Sequence, residues 1–157
     1  MQQRYFGGEV QALDDEDEHD HALRAAFEQA YVEVPRLSEE LAFHRALEAL
    51  WSAIDQANKY VVVTAPFTRA RNPAERPRVG TILHRLLESL YTTALLLRWF
   101  LPETSQRIAQ LLAVRLPDTL PERLDWGTHF RPGHRTQPPV VLFPRVDLSS
   151  DQAAASR

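Results

Sequence analysis

The stretch Trp51-Ser-Ala-Ile-Asp-Gln-Ala-Asn-Lys-Tyr-Val-Val-Val-Thr-Ala-Pro-Phe67 carries the pattern that decides the fold. Apolar residues recur through it and upstream of it at spacings of three and four, which is typical of one face of an amphipathic helix. One amide, Asn58, lies on that face. Pro66 ends the helix because proline has no backbone N–H and restrains the residue before it, and the aromatic Phe67 follows directly. The members of the apolar face are Phe43, Leu47, Leu50, Trp51, Ile54, Ala57 and Val61.

The start of this long helix is set by Ser38, which is followed by two acidic residues and therefore predicts an N-cap. The helix is expected to run over residues 38–65. The loop 66–77 that follows is rich in proline and arginine and is expected to be exposed. Upstream, another helical stripe predicts a helix that stops at Pro35. The members of that stripe are Leu23, Phe27, Ala30, Tyr31 and Val34.

A second long helix is predicted over residues 79–101, where the flanks of the apolar stripe are apolar too. Such a helix is expected to be the most buried one of the fold. Pro102 ends it and starts a short helix. Trp51 and Trp99 fall on apolar stripes and are expected in the core. The inward-facing residues of the short helix are expected to be Ile108, Leu111 and Leu112.

Long helices, short connections and the lack of any alternating strand pattern predict an all-α antiparallel helix bundle over residues 1–148. Its C-terminal segment is irregular. There Trp126 is expected to pack a short turn, and residues 140–145 are expected to lie extended against the bundle. Residues 149–157 are small and polar, which predicts a flexible tail. A chain of 157 residues is long enough for one core and too short for two ordinary domains.

Composition excludes several classes of site. The chain has no cysteine, so it cannot form a disulfide, a thiolate nucleophile or a cysteine-based zinc site. The N-terminus lacks the apolar region of a secretory signal. The longest apolar stretch, residues 90–101, is interrupted by Arg98 and is too short to span a bilayer. These features predict a soluble, cytoplasmic protein with no membrane partner.

The formal net charge is −3, whereas domains that bind nucleic acid are usually basic. The charge is uneven, however. Residues 14–20 hold an acidic run, while residues 69–85 hold five arginines against Glu75 alone. A local basic surface can act over a Debye length of about 8–10 Å whatever the net charge. The acidic run fits the N-terminus of a helix better than a metal site built on His19 and His21, and no metal is expected.

Five separated segments occur in the order of one known family. They are Arg4-Tyr5-Phe6-Gly7-Gly8, the Asn58-Lys59-Tyr60 helix up to Pro66, residues 86–105, Trp126-Gly127, and Leu142-Phe143-Pro144-Arg145-Val146. Together they resemble the anticodon-binding helical domain of methionyl-tRNA synthetases, over about residues 4–148. The resemblance implies the same helical-bundle fold. It also implies a module that binds tRNA of the tRNA-Met class.

The catalytic domain of that family, which binds ATP and methionine, is absent from this sequence, and no Gly-rich phosphate loop stands in for it. We therefore expect no catalytic residue and no cofactor here; ligation would belong to a separate catalytic domain or chain. The family's first helix, which would precede Arg4, is absent as well. Its absence is expected to expose an apolar groove between helices 22–34 and 79–101, so that the isolated chain is marginally stable or self-associates.

The resemblance also assigns candidate site residues. Phe67 occupies the position of the family's base-stacking aromatic, which is a tryptophan there. An exposed ring can stack on an unpaired base, although a core aromatic that fixes the loop is the alternative. Asn58 and Pro66 are expected to form a structural corner, with the amide bonded to backbone carbonyls. The candidate phosphate contacts, for which loop solubility is the alternative, are Arg69, Arg71, Arg76, Arg78 and Lys59.

Two other functions are open to this sequence. A degenerate bundle that docks on another protein without binding RNA is favoured by the acidic balance and by Phe67 in place of tryptophan. An enzyme would have to use His44 or His84, each with a glutamate one turn on, at Glu48 and Glu88. A surface ion pair is the simpler interpretation of that spacing, and no nucleophile motif accompanies it.

Overall fold

The computed structural model describes residues 1–143, which form a bundle of helices. Within these residues there is no β-strand, and one isolated antiparallel bridge joins Glu9 to Arg135. The all-α prediction is confirmed. The helices are α1 Gln2–Phe6, α2 Glu18–Glu39, α3 Phe43–Thr64, α4 Pro66–Arg69, α5 Arg76–Leu97 and α6 Pro102–Leu112, and a single 3₁₀ turn spans Pro73–Glu75.

Helix α5 lies at the centre of the bundle. It packs against α2, α3 and α6, and 17 of its 22 residues are buried. A helix that is apolar around most of its circumference has to be surrounded in this way. The prediction that this helix is the most buried one is confirmed, although it runs from Arg76 to Leu97 rather than over 79–101. Its largest fully buried apolar residues are Val79, Ile82, Leu95 and Leu96.

Two expectations about the ends of α2 and α3 are wrong. Helix α2 does not stop at Pro35, because proline fits a helical φ, its missing N–H removes only one bond, and Leu37 beyond it is buried in the core. Ser38 is not the N-cap of α3. Its hydroxyl donates to the carbonyl of Val34 at 2.7 Å inside α2. The turn comes later, at Leu41 with a left-handed φ of 59°, and α3 therefore begins at Phe43.

Both tryptophans that were expected in the core are half exposed, Trp51 at 49% and Trp99 at 47%. The buried face of α3 contains Ala46, Leu50 and Ala53. Trp51 directly follows Leu50 and so lies about 100° around the helix from it. Trp99 lies beyond the end of α5, where the helical period no longer fixes its direction.

Residues 113–143 cross the bundle without regular structure. Trp126 is buried in a short turn and stacks on Phe27 with ring centroids 5.7 Å apart, so the turn packed by the indole is confirmed. The hydroxyl of Tyr31 donates to the carbonyl of Pro121 at 2.7 Å. Leu142 packs against the core. The end of the expected extended piece and the tail 149–157 lie outside the described residues.

The expected apolar groove exists, but its position is different. Helices α2 and α5 pack against each other. The groove lies instead between α3 and α5, and Phe27 of α2 contributes to its lining.

Candidate nucleic-acid interface

The chain turns sharply at Ala65, between α3 and α4. Ala65 has a left-handed backbone, with φ 44° and ψ 53°, and its N–H donates to the carbonyl of Val61 at 3.1 Å. Pro66 then takes the first position of α4, where an N–H is not needed. The helix break predicted at Pro66 is confirmed. Ala65 is both the C-cap of α3 and the N-cap of α4, so the two helices meet at this one residue.

Side-chain hydrogen bonds brace this corner. The hydroxyl of Thr64 donates to the carbonyl of Tyr60 at 2.6 Å. The guanidinium of Arg69 donates through Nε to the carbonyl of Thr64 at 2.8 Å and through Nη1 to Glu75 Oε2 at 2.5 Å. Arg69 therefore caps the C-terminal end of α3 and connects it to the turn before α5. The amide of Asn58, which was expected to bond to backbone carbonyls at the corner, forms no hydrogen bond to another residue within 1–143. The side-chain hydrogen bonds at the corner come from Thr64 and Arg69 instead.

The corner separates its two hydrophobic residues. Pro66 is buried, whereas Phe67 is 52% exposed. A buried proline fixes the backbone, and the next side chain is thereby held out into solvent on a rigid base. Phe67 is therefore not the covered core aromatic that the sequence left open as the alternative, since a ring that fixed the loop would be buried.

A buried polar network lies beneath the corner and connects three helices. The hydroxyl of Tyr60, near the end of α3, donates to Asp20 Oδ1 at 2.5 Å. Arg78 of α5 lies 2.6 Å from the second oxygen of Asp20 and 2.7 Å from Asp17 Oδ2. Burial and the bond to Asp20 raise the pKa of Tyr60. Asp17 and Asp20 also cap α2 reciprocally, so the acidic run does begin a helix, but Asp20 is buried rather than solvated.

The five arginines of residues 69–85 have different surroundings. Three are paired with carboxylates: Arg69 with Glu75, Arg78 with Asp17 and Asp20, and Arg85 with Glu16. The basic charge available at the corner is therefore smaller than the sequence indicated. The pairs to Asp17, Asp20 and Glu16 could not be read from the sequence, because each partner lies 58 to 69 residues from its arginine along the chain.

The remaining candidate cations are accessible. Arg76 is exposed, with its guanidinium 4.9 Å from the ring centre of Phe6 and one N–H donated to the carbonyl of Tyr5 at 3.2 Å. Arg71 and Lys59 are exposed and form no salt bridge to any residue of the described part of the chain. These three side chains keep an unneutralised positive charge.

A second buried network was not anticipated, and it centres on Glu88. The carboxylate of Glu88 accepts the backbone N–H of His129 at 3.0 Å and its ring Nδ1–H at 2.6 Å, and it lies 3.8 Å from His84 Nε2. Burial alone raises the pKa of Glu88, but the hydrogen bonds from His129 and the nearby ring of His84 outweigh burial and lower that pKa to about 2. The spacing of His84 and Glu88 thus reflects a buried structural pair, not the surface ion pair that was expected. His44 is exposed.

No cluster of three or more metal-binding side chains occurs within residues 1–143. None of the helices described there is both long and apolar enough to cross a membrane.

The fold agrees with one family of domains. A family model described as the anticodon binding domain of methionyl tRNA ligase matches residues 10–157. The chain belongs to this family. The resemblance inferred from the five sequence segments is thereby confirmed.

Curated methionine–tRNA ligases are similar to almost the whole chain. The one from Clostridium acetobutylicum is 35% identical over 151 residues, which are 94% of this chain and 23% of that protein. The one from Bacillus subtilis is 31% identical over 156 residues, 98% and 23% of the two chains. The one from Fusobacterium nucleatum is 28% identical over 155 residues, 97% and 24%. The chain therefore spans about a quarter of the length of these relatives.

Solved structures of the family share the fold. The free Mycobacterium tuberculosis methionyl-tRNA synthetase superposes with a TM-score of 0.80 at 28% identity, covering 94% of this chain and 30% of that one. Its complex with methionyl-adenylate gives a TM-score of 0.80 at 29% identity and covers 92% and 28%. The helical bundle is thus that of the methionyl-tRNA ligase anticodon-binding family.

Proposed function

We propose that this chain binds the anticodon loop of tRNA, and specifically of tRNA-Met, at the corner between α3 and α4. The observation that carries the proposal is the exposed ring of Phe67 on its buried proline base. Anticodon bases are single-stranded and can be splayed out, and such bases are bound mainly by stacking on aromatic rings. Family membership supports the same conclusion.

The accessible cations Lys59, Arg71 and Arg76 are proposed to contact the phosphates beside the stacked base. Each is exposed and none of them is paired with a carboxylate of the described residues. Arg69 and Arg78 are proposed to act differently. Their guanidinium groups already bind carboxylates, so they would position the corner rather than hold RNA.

In a longer protein or a complex, the chain would position tRNA for methionine ligation carried out by a separate catalytic domain or chain. ATP and methionine would bind there. The site of action would be the cytoplasm, where protein synthesis takes place.

The test is a fluorescence titration of the chain with initiator tRNA-Met and with an unrelated tRNA at one fixed salt concentration. Tighter binding of tRNA-Met is expected. Phe67→Ala should weaken that binding about 5- to 150-fold, since stacking on one aromatic is worth about 1–3 kcal/mol.

The matched control is Phe43→Ala. Phe43 is as exposed as Phe67, at 51%, but lies at the opposite end of the 22-residue α3, about 30 Å away. It should leave affinity unchanged. Equal weak binding of both tRNAs, insensitive to Phe67→Ala, would refute the proposal and leave the alternative of a bundle that docks on protein.

A further inference from the structure

A small pocket lies beside the corner, between α1 and the start of α5, and we call it the α1–α5 pocket. Its volume is about 110 Å³. Pockets that hold whole drug-sized ligands measure about 300–1,000 Å³, so this one admits a smaller group, such as one edge of a nucleobase. The main lining residues are Tyr5, Phe6, Ala70, Asn72, Arg76 and Val79.

The pocket is close to the exposed ring of Phe67. Its wall includes Ala70, the C-cap of α4, whose N–H donates to the carbonyl of Pro66 at 2.9 Å, so the helical turn continues through it. Residues three apart in a helix have Cβ atoms about 5–6 Å apart, and this spacing applies to Phe67 and Ala70. A nucleotide stacked on the ring would therefore bring its neighbour in the strand to the α1–α5 pocket.

The interior of the pocket is apolar and its opening is cationic. Val79 is buried, whereas Arg76 is exposed. The guanidinium of Arg76 is held in place by the ring of Phe6, 4.9 Å away, and by the carbonyl of Tyr5, which accepts one N–H at 3.2 Å. A guanidinium has five N–H donors, and no carboxylate of residues 1–143 pairs with this one. Donors therefore remain for a ligand in the pocket as well as for a phosphate beside it.

Asn72 adds further donors to the lining. Its side-chain Oδ1 accepts the N–H of Ala74 at 3.1 Å and thereby caps the 3₁₀ turn Pro73–Glu75. The NH₂ of the same amide has no hydrogen-bond partner among residues 1–143, and an NH₂ can only donate. Asn72 and Arg76 thus both offer N–H groups, which complement a ligand with two neighbouring acceptors.

We propose that the α1–α5 pocket binds the edge of the base next to the one stacked on Phe67, and that Asn72 and Arg76 select an edge with two neighbouring acceptors. Guanine presents such an edge with N7 and O6, and cytosine with N3 and O2. Uracil has its N3–H between its two carbonyls, and adenine has its amino group between N1 and N7. Either would set a donor against the donors of the pocket. This inference rests on the proposed function and adds selectivity for a second base.

The test is a titration of the full chain with RNA stem-loops at one fixed salt concentration. The reference loop contains only uridine, and in the other loops one uridine at a time is replaced by cytidine, guanosine or adenosine. At one loop position, cytidine or guanosine should tighten binding at least about 5-fold, because a bidentate contact to a base discriminates by about 5- to 150-fold. Adenosine there should give no gain. A gain with cytidine alone or with guanosine alone identifies which of the two edges is bound.

Two variants separate base selection from charge and stability. Asn72→Ser keeps an oxygen that can cap the 3₁₀ turn but removes the amide donors. Arg76→Lys keeps the charge but loses the planar set of donors. Each should remove most of the gain, measured as the ratio of the affinities for the substituted loop and the uridine loop. Arg107→Lys, at an exposed position of α6 outside the pocket, is the matched control and should preserve that ratio.

The inference is overturned if no loop position favours cytidine or guanosine, if adenosine is favoured equally, or if the gain survives both Asn72→Ser and Arg76→Lys. Phe67→Ala tests the proposed function separately, because it should weaken binding of every loop, including the uridine loop. Equal affinities for all loops that nevertheless fall with Phe67→Ala would overturn the pocket alone. Absence of binding, or binding that Phe67→Ala leaves unchanged, would overturn the proposed function and this inference together.

Discussion

The hydroxyl of Tyr60 donates a hydrogen bond of 2.5 Å to the carboxylate of Asp20, which joins the last turns of α3 to the first turn of α2. Arg78 closes the arrangement from α5 by binding the other oxygen of Asp20 at 2.6 Å. The proposed RNA-binding corner is therefore supported by a network of side chains from α2, α3 and α5. Disturbing the network should change stability first and RNA binding only as a consequence.

Arg78→Ala should lower the free energy of unfolding by about 3 kcal/mol, because it leaves the buried carboxylate of Asp20 without its cation. Urea unfolding followed by circular dichroism measures this change. Arg107→Ala on the exposed side of α6 is the control and should stay within about 0.5 kcal/mol of the wild type. If the urea midpoint of Arg78→Ala equalled that of the wild type, the network around Asp20 would not contribute to stability.

The stability of the fold should decrease in acid because of Glu88. Its pKa is lowered from 4.5 to about 2 in the folded chain, so the unfolded chain takes up the proton first as pH falls. The stabilisation is present above about pH 4.5 and is lost progressively towards pH 2, on the order of 3 kcal/mol in all. Urea unfolding at several pH values between these limits measures the slope.

Glu88→Gln should flatten that slope and should also lower stability at neutral pH, where His129 would lose its charged acceptor. Glu48→Gln, at an exposed position of α3, is the matched control and should leave the slope unchanged. If the free energy of unfolding of Glu88→Gln still fell with pH as steeply as that of the wild type, other carboxylates would be responsible for the acid destabilisation.

Phe67→Trp should tighten binding of tRNA-Met above that of the natural chain, because the indole offers a larger stacking face at an exposed position. The expected gain is a few-fold and should be independent of salt. Fluorescence titration at two salt concentrations measures it. Phe43→Trp at the other end of α3 serves as the control. No gain from Phe67→Trp, despite a loss with Phe67→Ala, would indicate that ring area does not limit stacking.

Arg71→Ala should act on the electrostatic part of the affinity. It should reduce the slope of log K against log salt by up to roughly 0.7, the value for one lost single-strand phosphate contact. Titration at four salt concentrations gives the slope. Arg107→Ala removes the same charge from α6 and should leave the slope as it is. Equal slopes for wild type and Arg71→Ala would remove Arg71 from the RNA-contact surface.

The sequence by itself determined the helices, the break and the family. The three-and-four spacing around Leu50 and the stripe of α5 follow from local backbone geometry, and so does the corner at Pro66. The ends of the helices were less determined. Pro35 and Ser38 are local signals for the end of α2 and the start of α3, but the helix continues past both. Burial of Leu37 in the core stabilises the longer helix by more than the hydrogen bond lost at one proline destabilises it.

Only the tertiary structure decided which charges and rings are available. Arg71 and Arg78 look alike in sequence, yet Arg78 meets Asp17 and Asp20 from another helix while Arg71 faces solvent. The same holds for aromatic rings. Trp51 was expected in the core and Phe67 was left open between core and surface, and both side chains are about half exposed, because exposure depends on which helices pack nearby. Periodicity fixes the direction of a side chain around its own helix. What that side chain meets depends on contacts between residues far apart in the chain, and these form only when the helices pack together.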